Sequence, residues 1–506
     1  MQCMTSPASA CQPVCAERTP WRTSAVLLAT CAGLLALPVV EGALGLAADA
    51  HARSRKATAQ KQAKHKEAPE KSLERARRRT IPAAPPTPVQ KPKLAEQGKD
   101  DAQDQNGKQA VNARSEAIPV LATPQGRQLT AEEKKAAVLA APADVLRRLG
   151  RHIITGYHTP AQLTPLLQRA ALGGVFVTAR NARHRNRQKL ASELASLRWL
   201  AHASGQAAFW ISTDQEGGSV SRLSPPLAYQ VSLPRMLRDL KADASLTGAV
   251  EGYAAKQAAA LASVGINLNF APVADLNHNM RSSGDRYTRI RNRAISDKAD
   301  VVTDVARTYC QEFKKSQVYC TLKHFPGLGR VANDTHVTAA TLKTPADELA
   351  RTDWLPFRKI LDATPAFVMV GHHQVASLGA ERPASTSPAV VQKLLRDEWK
   401  FDGVVVTDDL VMGAIARRKG GMAAAAVDAL NAGVDLVLIG AENGAVYDVL
   451  HALVVADADG RLDRAKLAAS EKRLVKAAAP LALSHQPEPA APPLPIKAPS
   501  TKTARQ

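Results

Sequence analysis

Eight short apolar runs, separated by longer stretches rich in alanine and leucine, constrain the fold of this chain most strongly. The runs are continuous rather than alternating, which indicates strands that are buried on both faces, as in a parallel sheet covered by helices. Eight strand–helix units over about 350 residues favour an α/β fold of the TIM-type (β/α)8 barrel class over an open doubly wound sheet. The runs are IITGY, GVFVT, FWIST, NLNFAPV, VYCTLK, FVMVG, GVVVT and DLVLIG, which start at residues 153, 174, 209, 267, 318, 367, 403 and 435.

The composition changes sharply on both sides of this region. Residues 51–100 contain 14 Lys or Arg against 5 Asp or Glu, and their proline-rich stretch IPAAPPTPVQKPK has few large apolar side chains. Such a segment cannot bury enough surface to offset the entropy lost on ordering. The sequence therefore predicts a basic disordered linker at 53–129, one barrel domain at 130–483 and a proline-rich disordered tail at 484–506.

Residues 1–52 have the layout of a secretory signal peptide. Arg18 and Arg22 precede an uncharged apolar run at 24–40, and small residues follow it. The run is slightly shorter than a membrane span of about 20 residues, so an uncleaved anchor stays open as an alternative. The basic residues after the run would then favour a cytoplasmic domain. We expect export to the periplasm or cell envelope, with a cytoplasmic location less favoured.

Much of the formal net charge of +21 lies in the linker, so it says little about the barrel. The linker could contact a membrane surface or an anionic wall polymer. Neither helix-turn-helix nor zinc-finger spacing accompanies the charge, so nucleic acid is not expected as a partner. We expect a monomer.

The predicted barrel contains two cysteines, Cys310 and Cys320, ten residues apart. Two buried thiols are the interpretation that we favour, while a disulfide stays open if the domain is exported.

Polar residues directly follow six of the eight runs, at the strand ends where TIM barrels carry their chemistry. A single Asp or Asn there could be a helix N-cap, but six such groups together predict a site. They are Arg180 and Asn181, Asp214, Asp275, Lys323 and His324, His372 and His373, and Asp408 and Asp409.

Four blocks, FWISTDQEGGSVSRL, GINLNFAPVADL, KHFPGLGRVANDTHV and FDGVVVTDDLVMGAI, resemble in order those of glycoside hydrolase family 3. The likeness is to its NagZ-like β-N-acetylhexosaminidase branch and spans residues 146–483. It implies a retaining hydrolase that removes terminal β-linked N-acetylglucosamine during cell-wall turnover. The carbohydrate substrate that it implies is a peptidoglycan fragment containing N-acetylglucosamine.

The resemblance also implies residue roles. Asp408 matches the nucleophile, since a carboxylate at a strand end can form a covalent glycosyl-enzyme. Asp409 would face the other way on an extended backbone and is expected to be structural. The expected substrate-binding residues are Asp214, Lys323, His324, Met412 and Arg293, with Arg286 competing for the role of the arginine.

Most glycosidases pair two carboxylates, and this branch replaces the second with a loop histidine. His336 is thus the expected general acid/base, with Asp334 holding its imidazole. Residues i and i+2 of an extended segment face one way, so the sequence DTH predicts this dyad. Gly327 and Gly329 would let the loop swing over the sugar. Leu328 departs from the family, in which many members have histidine there.

Cofactors and metals are not expected, because the nucleophile and the proton donor are both side chains. His372 and His373 would face opposite sides of a strand, and no third ligand with suitable spacing is evident. Two other functions stay open. One is a β-N-acetylglucosaminide phosphorylase, since a neutral histidine repels phosphate less than a carboxylate does. The other is a non-catalytic wall-glycan-binding protein.

Overall fold

Eight parallel strands form one sheet in the computed structural model, which describes residues 127–280, 286–379, 381–441 and 444–482. The strands are β1 (Ile153–Gly156), β2 (Gly174–Val177), β3 (Trp210–Thr213), β4 (Leu268–Asn269), β5 (Thr321–Phe325), β6 (Phe367–Val370), β7 (Val405–Asp409) and β8 (Leu436–Ile439). Their order in the sheet is β4-β3-β2-β1-β8-β7-β6-β5. In the parallel register, Ile154 of β1 aligns with Gly174 of β2 and with Leu438 of β8.

The sheet closes on itself between β4 and β5. The Tyr319 N–H donates to the Asn267 carbonyl at 2.9 Å, and the Ala274 N–H donates to the Lys323 carbonyl at 2.8 Å. These bonds join the first and last strands of the sheet order, so the predicted (β/α)8 barrel is confirmed.

Helices cover the outside of this barrel. Those of the described residues are α1 (Ala131–Ala140), α2 (Ala143–Gly150), α3 (Thr164–Leu167), α4 (Ala179–Ala182), α5 (Arg187–Ala203), α6 (Leu233–Arg238), α7 (Leu246–Ala262), α8 (Ile290–Arg293), α9 (Ala299–Lys315), α10 (Ala346–Arg351), α11 (Leu355–Leu361), α12 (Gly413–Ala416), α13 (Gly421–Ala432), α14 (Ala445–Ala458) and α15 (Arg464–Ala482). Single 3-10 turns lie at Pro160–Gln162, Ala376–Leu378 and Ala384–Thr386, and a π-helical segment lies at Ala389–Glu398. The short strands Gln215–Gly217 and Val220–Ser221 pair antiparallel, and Thr341–Leu342 pairs with Gln374–Val375.

Local sequence explains where these helices form. The chain enters α1 through a capping box, in which the Thr130 hydroxyl accepts the Glu133 N–H and the Glu133 carboxylate accepts the Thr130 N–H. In α9, Val302, Val305 and Phe313 recur at helical spacing and are buried against the barrel.

Two apolar layers make up the core. The larger layer fills the space between the strands and the helices. The smaller layer fills the barrel itself, where Ile154, Trp210 and Phe367 point inward from their strands. Leu474 and Ala478 of α15 complete this inner layer. The interior of the barrel is therefore a packed apolar core rather than a pore.

A disulfide joins Cys310 of α9 to Cys320, the residue before β5. The favoured prediction of two buried thiols is wrong, and the alternative that stayed open is the one found. The chain returns from the end of α9 directly into β5, which brings the two Cα atoms to 5.4 Å, a separation that suits a disulfide.

The predicted signal or anchor at 1–52 and the tail at 484–506 lie outside the described residues, as does nearly all of the predicted linker at 53–129. Within the described ranges, no helix is both long enough and apolar enough to span a membrane.

Candidate active site

Five of the six strand-end groups meet at the carboxyl end of the barrel. They comprise Asp214, Asp275, Lys323, His324, His372, His373, Asp408 and Asp409. The sixth group does not join them. The Asn181 side chain accepts the Thr178 N–H at 2.8 Å and donates to the Tyr157 carbonyl at 2.9 Å, so it caps α4, and the adjacent Arg180 is exposed.

Asp408, the next-to-last residue of β7, lies among imidazoles. Its Oδ1 accepts the Asp409 N–H at 2.8 Å. Burial alone would raise the pKa of Asp408, but the neighbouring His324, His372 and His336 hold that pKa below its ordinary value. The carboxylate is therefore ionised at neutral pH, which a nucleophile requires.

Asp409 holds two backbone segments in place. Its Oδ1 accepts the Gly440 N–H at 2.8 Å and the Val411 N–H at 3.1 Å. A Cβ at position 440 would lie 2.1 Å from Asp409 Oδ2, so a larger residue there would displace this carboxylate. Burial, with help from the charge of Asp408, raises the pKa of Asp409 to about 6.

A buried network of charges lies across the mouth of the barrel from Asp408. Lys323 Nζ, in a side chain only 2% exposed, is 2.6 Å from Asp214 Oδ1 and 2.6 Å from Glu216 Oε1. Arg293 forms a two-pronged pair with Glu216, through Nε at 2.9 Å and Nη2 at 2.5 Å. Burial would raise the pKa of Glu216, but Arg293 and Lys323 hold it well below its usual range.

Glu216 is absent from the sequence-based predictions, although the sequence contains a signal for it. It lies two residues after Asp214 in the same block, and positions i and i+2 of an extended segment share a side.

The two competing arginines lie in different settings. Arg293, whose side chain is 11% exposed, pairs with Glu216 in the network and also donates to the Thr288 carbonyl at 2.8 Å. The Arg286 side chain is exposed, and its backbone N–H donates to Asp334 Oδ2 at 3.0 Å.

His324 is oriented by Asp275. The imidazole Nδ1 lies 2.8 Å from Asp275 Oδ2, and the other oxygen of that buried carboxylate accepts the Leu328 N–H at 2.7 Å. Asp275 therefore fixes both a predicted sugar-binding histidine and the turn that leads into the following loop.

Asp334 and His336 form the predicted pair, with Asp334 Oδ1 2.9 Å from His336 Nδ1. The expected backbone, however, is wrong: the segment is a turn rather than an extended strand. The Asp334 carboxylate accepts the His336 N–H, and its carbonyl accepts the Val337 N–H at 3.0 Å, so a side-chain turn brings the two groups together. Because the carboxylate only accepts, Nδ1 carries the hydrogen and Nε2 faces outward.

Asp334 also holds a second segment. Its carboxylate accepts backbone N–H groups of Arg286, Tyr287 and Thr288, and the Thr288 hydroxyl at 2.7 Å. Burial opposes ionisation, yet these donors hold the pKa of Asp334 far below its usual value. The His336 side chain is 41% exposed, so the imidazole is fixed at one nitrogen and open to a ligand at the other.

The loop that carries His336 packs on the chain just beyond Asp408. The Gly413 N–H donates to the His336 carbonyl at 2.9 Å, and the Ala414 N–H donates to the Thr335 carbonyl at 3.1 Å. Gly329 passes Leu276 so closely that a Cβ would lie 1.9 Å from the Leu276 carbonyl oxygen. Glycine is therefore required at position 329 for close packing, independently of any backbone flexibility that it gives the loop.

Met412 and the adjacent histidines complete the site. Met412 is buried at the start of α12. His372 is held between Ser385 Oγ at 2.8 Å and the Asp409 carbonyl at 3.0 Å.

Leu328, the departure from the family pattern, packs with Val273 and Ile290 in a small apolar cluster. Across the described residues, no group of three or more His, Cys, Asp or Glu side chains is arranged to hold a metal ion.

A cavity of about 870 Å³ opens at the opposite, amino-terminal end of the barrel, where Tyr319, Phe367, Trp399 and Phe401 help to line it. None of the expected site residues borders this cavity, so its volume has no bearing on the chemistry at the carboxyl end.

Comparison with known proteins shows the family of the chain. The family model described as the glycosyl hydrolase family 3 N terminal domain matches residues 136–477. A protein of Xanthomonas oryzae named beta-hexosaminidase is 32% identical over 287 residues, which are 56% of this chain and 81% of that one. One of Stenotrophomonas maltophilia with the same name is 33% identical over 310 residues, covering 59% and 85%.

Solved structures of family 3 enzymes are also similar to this chain. A family 3 beta-N-acetylglucosaminidase from Paenibacillus superposes with a TM-score of 0.60 and 27% identity, over 71% of this chain and 65% of that one. A family 3 glycosyl hydrolase from Mycobacterium smegmatis superposes with a TM-score of 0.58 and 31% identity, over 67% and 98%. The chain therefore belongs to glycosyl hydrolase family 3, as a glycoside hydrolase similar to its β-N-acetylhexosaminidases.

Proposed function

We propose that this protein is a retaining β-N-acetylhexosaminidase that removes terminal β-linked N-acetylglucosamine from peptidoglycan fragments in the cell envelope. The observation that carries the proposal is the packing of the His336 loop on the turn after Asp408. It puts an oriented imidazole near an ionised carboxylate at one mouth of the barrel.

In the first step an Asp408 oxygen attacks the anomeric carbon, and the bond from that carbon to the leaving oxygen breaks. His336 Nε2 gives its proton to the leaving oxygen, so the leaving sugar departs as a neutral alcohol. Asp334 stabilises the imidazolium before transfer and keeps Nδ1 protonated afterwards. The product of this step is a glycosyl ester on Asp408.

In the second step His336 acts as the base. It takes a proton from a water molecule, whose oxygen attacks the anomeric carbon and breaks the ester bond. Asp408 regains its carboxylate and His336 regains its proton, so neither group is consumed. Two displacements at one carbon give a sugar of retained configuration.

The buried charges opposite Asp408 would bind the terminal sugar. Asp214, Lys323 and Arg293 can each make charge-assisted hydrogen bonds to hydroxyl groups. Glu216 holds the two cations at fixed positions, so little side-chain entropy is lost when the sugar binds.

Two observations support the substrate and the location. Proteins similar to this chain are named as a beta-hexosaminidase and a beta-N-acetylglucosaminidase. The Cys310–Cys320 disulfide is of a kind that persists in oxidising compartments outside the cytosol, which favours export.

The decisive experiment follows hydrolysis of 4-nitrophenyl β-N-acetylglucosaminide and of a peptidoglycan-derived disaccharide, with and without phosphate. We expect free N-acetylglucosamine of retained configuration in both conditions, and a loss of at least about a thousandfold in Asp408→Asn. Asp402→Asn is the matched control. Asp402 lies just before β7 and is an exposed acid that pairs with Lys476. A glycosyl phosphate as the main product would indicate a phosphorylase, and glycan binding without turnover would indicate a binding protein.

A further inference from the structure

An exposed aromatic ring lies beside the proposed proton donor. Tyr287 is 59% exposed, and its ring centroid is 5.9 Å from that of the His336 imidazole. Exposed aromatic residues that occur singly are common and mean little by themselves. The position of this ring is what carries the inference.

The backbone below the ring is fixed to the same carboxylate that orients His336. The Tyr287 N–H donates to Asp334 Oδ2 at 2.6 Å, and the next residue, Thr288, donates its hydroxyl to Asp334 Oδ1 at 2.7 Å. The Thr288 carbonyl in turn accepts Arg293 Nη1 at 2.8 Å. The ring is therefore attached to a fixed backbone and is exposed to solvent. Because the backbone is already fixed, less entropy is lost when a ligand packs on the ring.

The proposed role of His336 indicates which part of the substrate the Tyr287 ring can contact. In the proposed reaction, His336 protonates the oxygen that joins the terminal sugar to the leaving group. Atoms beyond that oxygen extend away from the anomeric carbon and start beside the imidazole, so a ring whose centroid is 5.9 Å from that of the imidazole is within their reach. A pyranose presents apolar C–H groups on its faces, and a tyrosine ring is a rigid, flat surface for them.

We propose that Tyr287 forms the binding platform for the leaving-group sugar. The inference rests on the proposed hydrolase function and deepens it: Tyr287 favours substrates with a sugar on the leaving side over substrates with a small leaving group. It binds the leaving group and takes no part in proton transfer.

The test compares two donors of the same terminal sugar. One is the β-1,4-linked disaccharide of N-acetylglucosamine, and the other is β-N-acetylglucosaminyl fluoride, whose one-atom leaving group cannot reach the ring. In Tyr287→Ala, kcat/KM should fall about tenfold for the disaccharide and stay within about twofold for the fluoride. Tyr287→Phe keeps the face and should stay within about twofold for both donors. Trp199→Ala, which removes an aromatic residue that is 54% exposed on α5, should change neither value.

The two donors also separate binding from an indirect effect on His336. Hydrolysis of the glycosyl-enzyme is common to both donors and needs His336 as base. If Tyr287→Ala merely disturbed the dyad, kcat would fall for the fluoride as well and the pH profile would shift. Equal losses for the two donors, or no loss for the disaccharide, would overturn the proposal. A parent enzyme that hydrolyses neither donor would instead overturn the proposed function itself.

Discussion

The His336 carbonyl accepts a hydrogen bond from the Gly413 N–H at 2.9 Å, five residues beyond Asp408. This bond ties the loop of the proposed proton donor to the strand end of the proposed nucleophile. Both groups therefore face the same mouth of the barrel, as a double displacement requires.

The tautomer and orientation of His336 should depend on Asp334. In Asp334→Asn the amide retains the size of the side chain but loses the negative charge that stabilises the imidazolium. We expect kcat to fall by about 10² to 10⁴ for the disaccharide. The measurement is steady-state kinetics, with circular dichroism to show that Asp334→Asn is folded. A kcat within about threefold of the parent value would contradict a role in proton transfer.

Arg293 and Arg286 should differ greatly in their effect on sugar binding. Arg293→Lys removes the two-pronged pair with Glu216, and we expect kcat/KM for an aryl glycoside to fall at least about tenfold. Arg286→Lys alters an exposed side chain and should change this value by less than about twofold. The reverse ranking would assign the sugar-binding arginine to position 286.

Stability should fall as the pH rises through the titration of Asp409. Its pKa is raised to about 6 in the folded protein, above the ordinary value of 3.8, so the folded state binds this proton more tightly than the unfolded state does. The resulting contribution to stability is complete below pH about 4 and is lost as the pH rises to about 6. Asp409→Asn keeps an oxygen for the Gly440 and Val411 N–H groups and does not titrate.

Urea unfolding of the parent and of Asp409→Asn, at several values between pH 4 and pH 7, checks this. We expect the variant to gain about 2 kcal/mol relative to the parent between the two ends of the range. A difference that does not change with pH would show that folding leaves the pKa of Asp409 unaltered.

The Cys310–Cys320 disulfide should stabilise the barrel by restricting the unfolded chain. For a loop with a sequence separation of 10, the chain-entropy model gives about 2 to 3 kcal/mol. The double variant Cys310→Ser with Cys320→Ser should show this loss in urea unfolding under non-reducing conditions. The parent in strong reductant should unfold at the same urea concentration as the double variant. If the two differ widely, the serines themselves disturb the core.

Periodicity and strand-end chemistry predict the barrel correctly because strands that are buried on both faces appear in the sequence as continuous apolar runs. All eight predicted runs overlap strands of the sheet. Asn181 shows the limit of this argument, since the same position at a strand end also suits a helix cap.

Contacts between distant segments were harder to predict. Glu216 acts through Arg293 and Lys323, which lie 77 and 107 residues further along the chain, and no local pattern connects them. The disulfide likewise depends on how α9 returns to β5. The Asp334 and His336 pair was predicted with the wrong backbone, because an aspartate side chain can itself replace a backbone hydrogen-bond partner in a turn.

The packing of Leu474 and Ala478 inside the barrel has a consequence for biosynthesis. Translation proceeds from the amino terminus, so the ribosome makes all eight strands before it makes the two side chains that seal their interior. Until then Trp210 and Phe367 lack part of their final apolar cover, and the nascent barrel cannot reach its native stability. A chain released before residue 474 would thus be prone to aggregate even though every residue of the proposed catalytic site is present.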